Sequence, residues 1–155
     1  MIRILFVCHG NICRSPMAEF VMKDLARQKG LADAYEIASA ATSREEIGNP
    51  VYPPARRKLA EHGIPCAGHA ARQMTRRDYD HFDFILGMDH ANVRNMQRIA
   101  GGDPYGKVTL LLDHALRPGQ EVADPWYTGD FDAAWDDILA GCEGLLAELT
   151  AADVE

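Results

Sequence analysis

The chain has 155 residues, of which 47% are hydrophobic and 25% are charged, and its net charge is −7 at pH 7. This length is enough to bury a core without disulfides, so we expect one domain over residues 1–155. The negative charge argues against nucleic acid or a membrane surface as a partner, and no apolar run approaches the ~20 residues of a membrane span.

The first part of the chain alternates strand and helix patterns. The run at residues 2–7, apolar except for Arg3, is typical of a strand covered on both faces. Ser15 as N-cap and Pro16 at the first helical position then predict a helix that ends at Gly30. The next two expected elements are a strand at 35–40 and a helix at 53–63.

The second part continues the alternation. We expect strands at 82–88 and 107–112, a helix at 90–100 that Asp89 caps, and a closing helix at 131–150. Such a pattern predicts an α/β fold, a doubly wound sheet of four parallel strands with helices on both faces. Because ligands bind beyond the carboxyl ends of such strands, the segments after strands one and four should share one edge.

The segment VCHGNICRS after the first strand has the residues of a phosphate-binding loop. Cys8 ends the strand, and Gly10 and Asn11 suit a tight turn because both tolerate positive φ. Backbone N–H groups, the helix start and Arg14 favour a bound phosphate, and they would also stabilise a thiolate at Cys8. Ser15 is placed to donate a hydrogen bond to that sulfur.

Three other interpretations of these thiols carry less weight. Cys8 would be a small buried hydrophobe if it stood alone. A zinc site needs four ligands, and the histidines form no cluster with the cysteines, so we expect no metal and no cofactor. Residues 1–10 lack a charged leader and a cleavage site, which favours a cytoplasmic location, reduced thiols and no permanent disulfide.

A second informative segment is EVADPWYTGDFD, residues 121–132. Asp124 precedes a proline, which keeps it extended or in a turn at the ligand edge, and a carboxyl there could act as general acid and then as general base. Trp126 and Tyr127 would form a wall for an aromatic leaving group. The alternative is that Asp124 only starts a turn and that both aromatic residues belong to the core.

These segments resemble the low-molecular-weight protein tyrosine phosphatases along nearly the whole chain. The family pattern V-C-x-G-N-x-C-R-S-P is present from Val7 to Pro16, and the Asp-Pro-aromatic-aromatic pattern from Asp124 to Tyr127. HAARQ at 69–73 and ILGMDHAN at 85–92 are also similar to family segments. The combination is highly specific, whereas C-x5-R alone is shared with other phosphatases.

The resemblance implies hydrolysis of phosphotyrosine in proteins and of aryl phosphates, with Cys8 as nucleophile, Asp124 as acid and base, and Arg14 on the phosphate oxygens. It also implies that Ser39 and His69 help Asn11 to maintain the loop. Further residues that it assigns to phosphate and substrate binding are His9, Gly10, Asn11, Ile12, Cys13, Ser15, Trp126 and Tyr127. Its expected ligands are tyrosine-phosphorylated proteins, with phosphate or vanadate as inhibitors.

The chain departs from the family pattern in the loop after the second strand. Relatives often carry an aromatic residue there, and this chain has Glu45 and Glu46, so the second wall of the substrate slot is in doubt. Ile12 stands where phosphoarginine phosphatases of the family have threonine, which favours phosphotyrosine. Cys66 and Cys142 match no catalytic position, and we expect buried thiols.

Two other functions remain as alternatives. A thioredoxin-coupled arsenate reductase would use the same loop, but it needs two further cysteines, and residues 76–92 contain none. A catalytically silent phosphotyrosine-binding module would not need both Cys8 and Asp124. We also expect reversible redox regulation through Cys13, five residues after Cys8, where a disulfide could intercept an oxidised nucleophile.

Overall fold

Helices and strands alternate along the chain in the computed structural model, which describes residues 1–154 and the side chains of residues 1–151. The strands are β1 (Ile2–Cys8), β2 (Tyr35–Ala41), β3 (Phe84–Gly87) and β4 (Val108–Leu110). The helices are α1 (Arg14–Gln28), α2 (Pro53–Glu61), α3 (Arg76–His81), α4 (His90–Ala100), α5 (Pro125–Thr128) and α6 (Phe131–Val154). Short 3₁₀ turns lie at Ala32–Ala34 and Leu111–Ala115.

The four strands form one parallel sheet in the order β2-β1-β3-β4. β1 lies between two neighbours, with Ile4 opposite Ile37 on one side and Phe84 on the other. A strand paired on both edges and covered on both faces has no solvated side, which explains why its sequence is apolar without alternation. The predicted fold class, a single domain with four parallel strands, is confirmed.

The two faces of β1 bury separate cores. Ile4 and Phe6 pack in a cluster with residues of α1, α2 and α6, whereas Leu5 and Val7 pack with residues of α3 and α4. Successive side chains of a strand point to opposite faces, so one short strand supports both layers. The prediction of helices on both faces is therefore confirmed.

The start of α1 differs from the sequence prediction. The helix begins at Arg14, the N-cap position is Cys13 and no side chain caps it. Ser15 is therefore not the N-cap, and Pro16 is the third helical residue and not the first. The physical reason is that the hydroxyl of Ser15 is engaged by Asn11, so it is not free to accept from the helix amides.

Other differences concern short elements. The fourth strand was expected at 107–112 but ends at Leu110, because the chain turns into a 3₁₀ helix whose Asp113 accepts a hydrogen bond from the Leu110 amide. The short helices α3 and α5 were missed. The first has a capping box between Thr75 and Asp78, a signal that was readable in the sequence. Within the described part of the chain, no helix is long and apolar enough to cross a membrane.

Candidate active site

A cavity of about 400 Å³ opens beyond the carboxyl end of β1. Three segments supply most of its lining: residues 8–15 (the nucleophile loop), residues 42–49 (the glutamate loop) and residues 122–130 (the aspartate loop). The start of α4 closes the remaining side. Cys8, Arg14 and Asp124 all line this one cavity, so the expected shared edge of strands one and four exists.

Cys8 is the last residue of β1, and its side chain is buried at the base of the cavity. Its Sγ accepts a hydrogen bond from the Asn11 amide at 3.3 Å and lies 3.0 Å from Ser15 Oγ. Both groups are donors to a thiolate, and the first helix begins directly behind them. Two hydrogen-bond donors therefore lie within reach of this sulfur, the atom that reacts in a nucleophilic cysteine.

Asn11 holds the nucleophile loop in shape from inside. It is fully buried, with a backbone φ of 60°, in the left-handed region that asparagine tolerates better than most residues. Its Nδ2 donates to Ser15 Oγ at 2.8 Å and to Ser39 Oγ at 2.9 Å, and its Oδ1 accepts from the Arg72 amide at 3.2 Å. All the polar groups of this side chain are thus used.

The direction of the hydrogen bonds follows from a buried carboxylate that the sequence analysis missed. Ser39 Oγ lies 2.6 Å from Glu19 Oε1, and because a carboxylate only accepts, Ser39 is the donor. Ser39 and Ser15 then both accept from Asn11. The proton of Ser15 then has two acceptors within reach, the sulfur of Cys8 at 3.0 Å and the carbonyl oxygen of Ala40 at 3.5 Å, and the sulfur is the nearer one.

His69 ties the same loop to the segment after α2. Its Nε2 lies 2.7 Å from the carbonyl oxygen of Asn11, and since that oxygen only accepts, Nε2 carries the proton. The structure therefore brings Ser39 and His69 to Asn11, as the family resemblance implies. His69 contacts the backbone of the loop, Ser39 contacts the Asn11 side chain, and neither residue lines the cavity.

Arg14 is nearly completely buried, and its guanidinium bridges three elements. It donates to the carbonyl oxygen of Val122 at 2.9 Å, to Asp89 at 3.0 Å and to Asp124 at 3.3 Å. Burial by itself would lower the pKa of Arg14, but the negative charges of Cys8, Asp124 and Asp89 raise it above its ordinary value. A fixed planar cation therefore lies beside the sulfur, where phosphate oxygens would need it.

Asp124 stands at the N-cap of α5, at the side of the cavity. Its Oδ1 accepts from the Trp126 amide at 3.1 Å, and its Oδ2 faces Arg14. The side chain keeps 28% of its surface exposed, so it is open to substrate and water. The expected extended conformation before Pro125 is present, with φ −90° and ψ 104°.

The aromatic residues of the aspartate loop are not part of the core. Trp126 is 53% and Tyr127 84% exposed, and both line the cavity, so the alternative that placed them in the core is wrong. Trp126 is held from the other side by Tyr52, whose ring centroid lies 4.9 Å away. The sequence analysis missed Tyr52, because nothing in the local pattern before α2 indicates contact with a loop that lies more than 70 residues later.

The opposite wall of the cavity is polar. Glu45 and Glu46 both line it, so this wall carries charged side chains and not an aromatic one. His9 Nε2 lies 3.0 Å from Glu45 Oε2, and Asn49 Nδ2 donates to Glu46 at 2.6 Å. Each carboxylate is thereby held in place at the mouth.

The other three cysteines are all buried, and burial raises the pKa of each thiol. Cys13 also lines the cavity, but burial, reinforced by the negative charges of Cys8 and Asp124, raises its pKa to about 12. Cys66 and Cys142 are buried as expected, and burial raises the pKa of both.

Asp89 has a role that the sequence analysis did not assign. We expected it only as a helix cap, and it does cap α4 by accepting from the Asn92 amide at 2.7 Å. Its other oxygen pairs with Arg14. The similarity of ILGMDHAN to a family segment was the available signal.

Among the residues that the structure describes, no cluster of histidine, cysteine and carboxylate side chains is arranged to hold a metal ion.

Comparison with known proteins agrees with this geometry. Residues 3–154 match the family model described as low molecular weight phosphotyrosine protein phosphatase. The chain is 41% identical to the low molecular weight protein-tyrosine-phosphatase YfkJ of Bacillus subtilis, over 96% of each chain, and 37% identical to the human low molecular weight phosphotyrosine protein phosphatase, over 92% of each.

Solved structures give the same result. The crystal structure of YfkJ superposes with a TM-score of 0.94, covering 98% of this chain and 96% of that one at 40% identity. The Drosophila arginine phosphatase DARP superposes with a TM-score of 0.87, covering 96% of this chain and 98% of that one at 30% identity. The chain therefore belongs to the low molecular weight phosphotyrosine protein phosphatase family, as its motifs indicated, and is an enzyme of the phosphoric monoester hydrolase class.

Proposed function

We propose that this enzyme, as one domain over residues 1–155, hydrolyses phosphotyrosine in proteins and aryl phosphate monoesters through a cysteinyl-phosphate intermediate. The observation that carries the proposal is the meeting of Cys8, Arg14 and Asp124 in one cavity, with hydrogen-bond donors aimed at the sulfur. Nucleophile, cation and acid are the three groups that transfer of a phosphoryl group to sulfur requires.

In the first step, the thiolate of Cys8 attacks phosphorus and the bond to the tyrosine oxygen breaks. Arg14 and the amides of the nucleophile loop bind the equatorial oxygens and stabilise the charge that develops on them. Asp124 gives its proton to the leaving phenolate. Its position at the open side of the cavity supports this role, since the leaving group must point away from the buried sulfur.

In the second step, water attacks the phosphorus of the cysteinyl phosphate. Asp124, now ionised, accepts a proton from that water, and the thiolate of Cys8 leaves. The hydroxyl of Ser15 lies 3.0 Å from the sulfur and donates to it as negative charge returns, which makes departure easier. Inorganic phosphate is then released, and we expect phosphate and vanadate to compete with substrate for the same donors.

Two features favour phosphotyrosine over other substrates. The sulfur is 4% exposed at the base of a deep cavity, so a long aromatic ester suits it better than a short aliphatic one. Trp126 and Tyr127 stand at the rim, where they can contact the ring. Ile12 supports phosphotyrosine over phosphoarginine, the class named for the Drosophila relative, because the family's phosphoarginine enzymes carry threonine there.

Arsenate reduction has less support in this chain. A relay through thioredoxin needs two further accessible cysteines after the nucleophile. Cys66 and Cys142 are both buried and lie outside residues 76–92, where the mobile relay segment of such reductases would be. Tyrosine-phosphorylated proteins are therefore the proposed partners, and the cytoplasm, where tyrosine kinases and reduced thiols occur, is the proposed location.

Redox regulation through Cys13 is a further part of the proposal. Peroxide would oxidise the thiolate of Cys8 to a sulfenic acid, and the sulfur of Cys13 would displace water from it to form a disulfide. Burial raises the pKa of Cys13 to about 12, so the group that meets the sulfenic acid is a thiol, and its proton leaves with the displaced water. A cellular dithiol would then restore both thiols.

The test measures release of 4-nitrophenol from 4-nitrophenyl phosphate and of phosphate from phosphotyrosine, phosphoserine and phosphoarginine peptides. We expect turnover of the first two substrates and little of the others. The Cys8→Ser variant should be inactive while it still folds and still binds vanadate. Activity within tenfold of the parent in that variant, or faster arsenate reduction with thioredoxin than ester hydrolysis, would contradict the proposal.

A further inference from the structure

We infer that Tyr52 is a positioning residue for the proton-donating step: its ring holds the aspartate loop against the nucleophile loop, and so sets the place of Asp124. The inference rests on the proposed function, since it assumes that Asp124 is the acid. It arises from the contact between Tyr52 and Trp126, which links the N-cap of α2 to the aspartate loop, two segments that are far apart in the chain.

The backbone of the aspartate loop is anchored at its start, where the Val122 amide donates to the Met88 carbonyl oxygen at 2.9 Å and the Val122 carbonyl oxygen accepts from Arg14. Residues 124–129 make their backbone hydrogen bonds among themselves, from Tyr127 and Thr128 to Asp124 and from Gly129 to Pro125. The position of these six residues relative to the sulfur therefore depends on side-chain contacts. Those contacts are the buried ring of Pro125, the ion pair of Asp124 with Arg14, and the Trp126 ring on Tyr52.

Tyr52 connects the nucleophile loop to the aspartate loop, because its backbone contacts the first and its ring contacts the second. Its backbone N–H donates to the carbonyl oxygen of Ile12 in the nucleophile loop at 2.8 Å. Its ring lies 4.9 Å from the Trp126 ring, centroid to centroid, and 6.3 Å from that of Phe131 at the start of α6. The half-buried Tyr52 thus has one side on the core and one on the aspartate loop.

The ring of Trp126 transmits this position directly to the acid. Trp126 donates its own amide hydrogen to Asp124 Oδ1 at 3.1 Å, so the two residues share one rigid turn capped by Asp124. A shift of the indole ring away from Tyr52 would therefore move the carboxyl group as well.

The contact with Tyr52 becomes more important for the position of Asp124 when substrate is bound. The ion pair between Arg14 and Asp124 also holds the loop, but it needs an ionised carboxylate. To donate a proton Asp124 must be neutral, and Arg14 must at the same time face the phosphate oxygens. Both changes weaken the ion pair, whereas the contact between the two tilted aromatic rings does not depend on either charge.

The test compares Tyr52→Ala and Tyr52→Phe with the parent enzyme, using a series of aryl phosphates whose leaving groups differ in basicity. Tyr52→Ala should lower kcat/KM by roughly two- to tenfold for basic leaving groups, the range that one aromatic pair supplies. The loss should vanish for the most acidic leaving groups, which need no proton. Tyr52→Phe keeps the ring and should match the parent.

Two controls separate positioning from general damage. Tyr105→Ala removes another ring, 78% exposed and outside the cavity, and should leave all rates unchanged. In an Asp124→Asn background, Tyr52→Ala should have no further effect on basic leaving groups, because the donor is already lost. If Tyr52→Ala fails to fold, Tyr52→Leu keeps apolar volume without the ring.

The possible outcomes distinguish the inference from the function on which it rests. A parent that does not cleave aryl phosphates, or that is insensitive to Asp124→Asn, contradicts the proposed function. A parent that needs Asp124, combined with a Tyr52→Ala deficit that is equal for all leaving groups or absent, contradicts only the role of Tyr52.

Discussion

Replacement of Asn11 tests whether the nucleophile loop depends on one side chain for its shape. Asn11→Gly removes three hydrogen bonds but keeps a residue that adopts the observed φ of 60° without strain. At about 1 kcal/mol for each hydrogen bond, we expect the free energy of unfolding to fall by about 2–3 kcal/mol. Asn11→Ala removes the same three hydrogen bonds and also places a residue with a Cβ in the left-handed region. This strain should lower the free energy of unfolding by about 1–2 kcal/mol more.

The assay is urea unfolding followed by the fluorescence of the buried Trp135, together with the rate on 4-nitrophenyl phosphate. Activity should fall at least tenfold in both variants, since Ser15 is then no longer held toward Cys8. A tenfold loss corresponds to about 1.4 kcal/mol of activation free energy. Equal stabilities for Asn11→Gly and Asn11→Ala would refute the argument from backbone strain. Parent-like activity in both would refute the argument that Asn11 directs Ser15.

Three further predictions concern the chemistry of the cavity. Asp124→Asn should lower the rate on aryl phosphates by about 10²–10⁴-fold, less for acidic leaving groups, and a uniform deficit in a leaving-group series would make Asp124 structural. Peroxide should inactivate the parent enzyme reversibly, so that its activity returns in dithiothreitol. The Cys13→Ser variant should be active at first but should stay inactive after oxidation, and equal recovery of the two proteins would exclude protection by Cys13. The parent should disfavour peptides with acidic residues beside the phosphotyrosine, and lysine at both Glu45 and Glu46 should reverse that preference, measured as kcat/KM on matched peptides. An unchanged preference would exclude these carboxylates as determinants of peptide specificity.

Much of the architecture was readable in the sequence because its signals are local. The apolar run of β1, the cap Asp89 and the end of α4 at Gly101 all depend on residues close together in the chain, and α4 was predicted with its observed bounds. The rule that ligands bind beyond the carboxyl ends of parallel strands also predicted that Cys8 and Asp124 lie at one edge of the sheet, where the structure has them.

The contacts that complete the site join residues distant in the chain, and only the tertiary structure decided them. Glu19 reaches Ser39 across the α1–sheet interface, and Tyr52 meets Trp126 between two loops. No period or cap encodes such a meeting, because each residue has an ordinary local role as a helix or turn residue. The sequence also misplaced the cap of α1: Ser15 has the right chemistry for an N-cap, but the folded loop brings Asn11 to its hydroxyl instead. Sequence by itself therefore indicated the candidate groups for the proposed chemistry, whereas packing between distant segments determined how those groups are oriented.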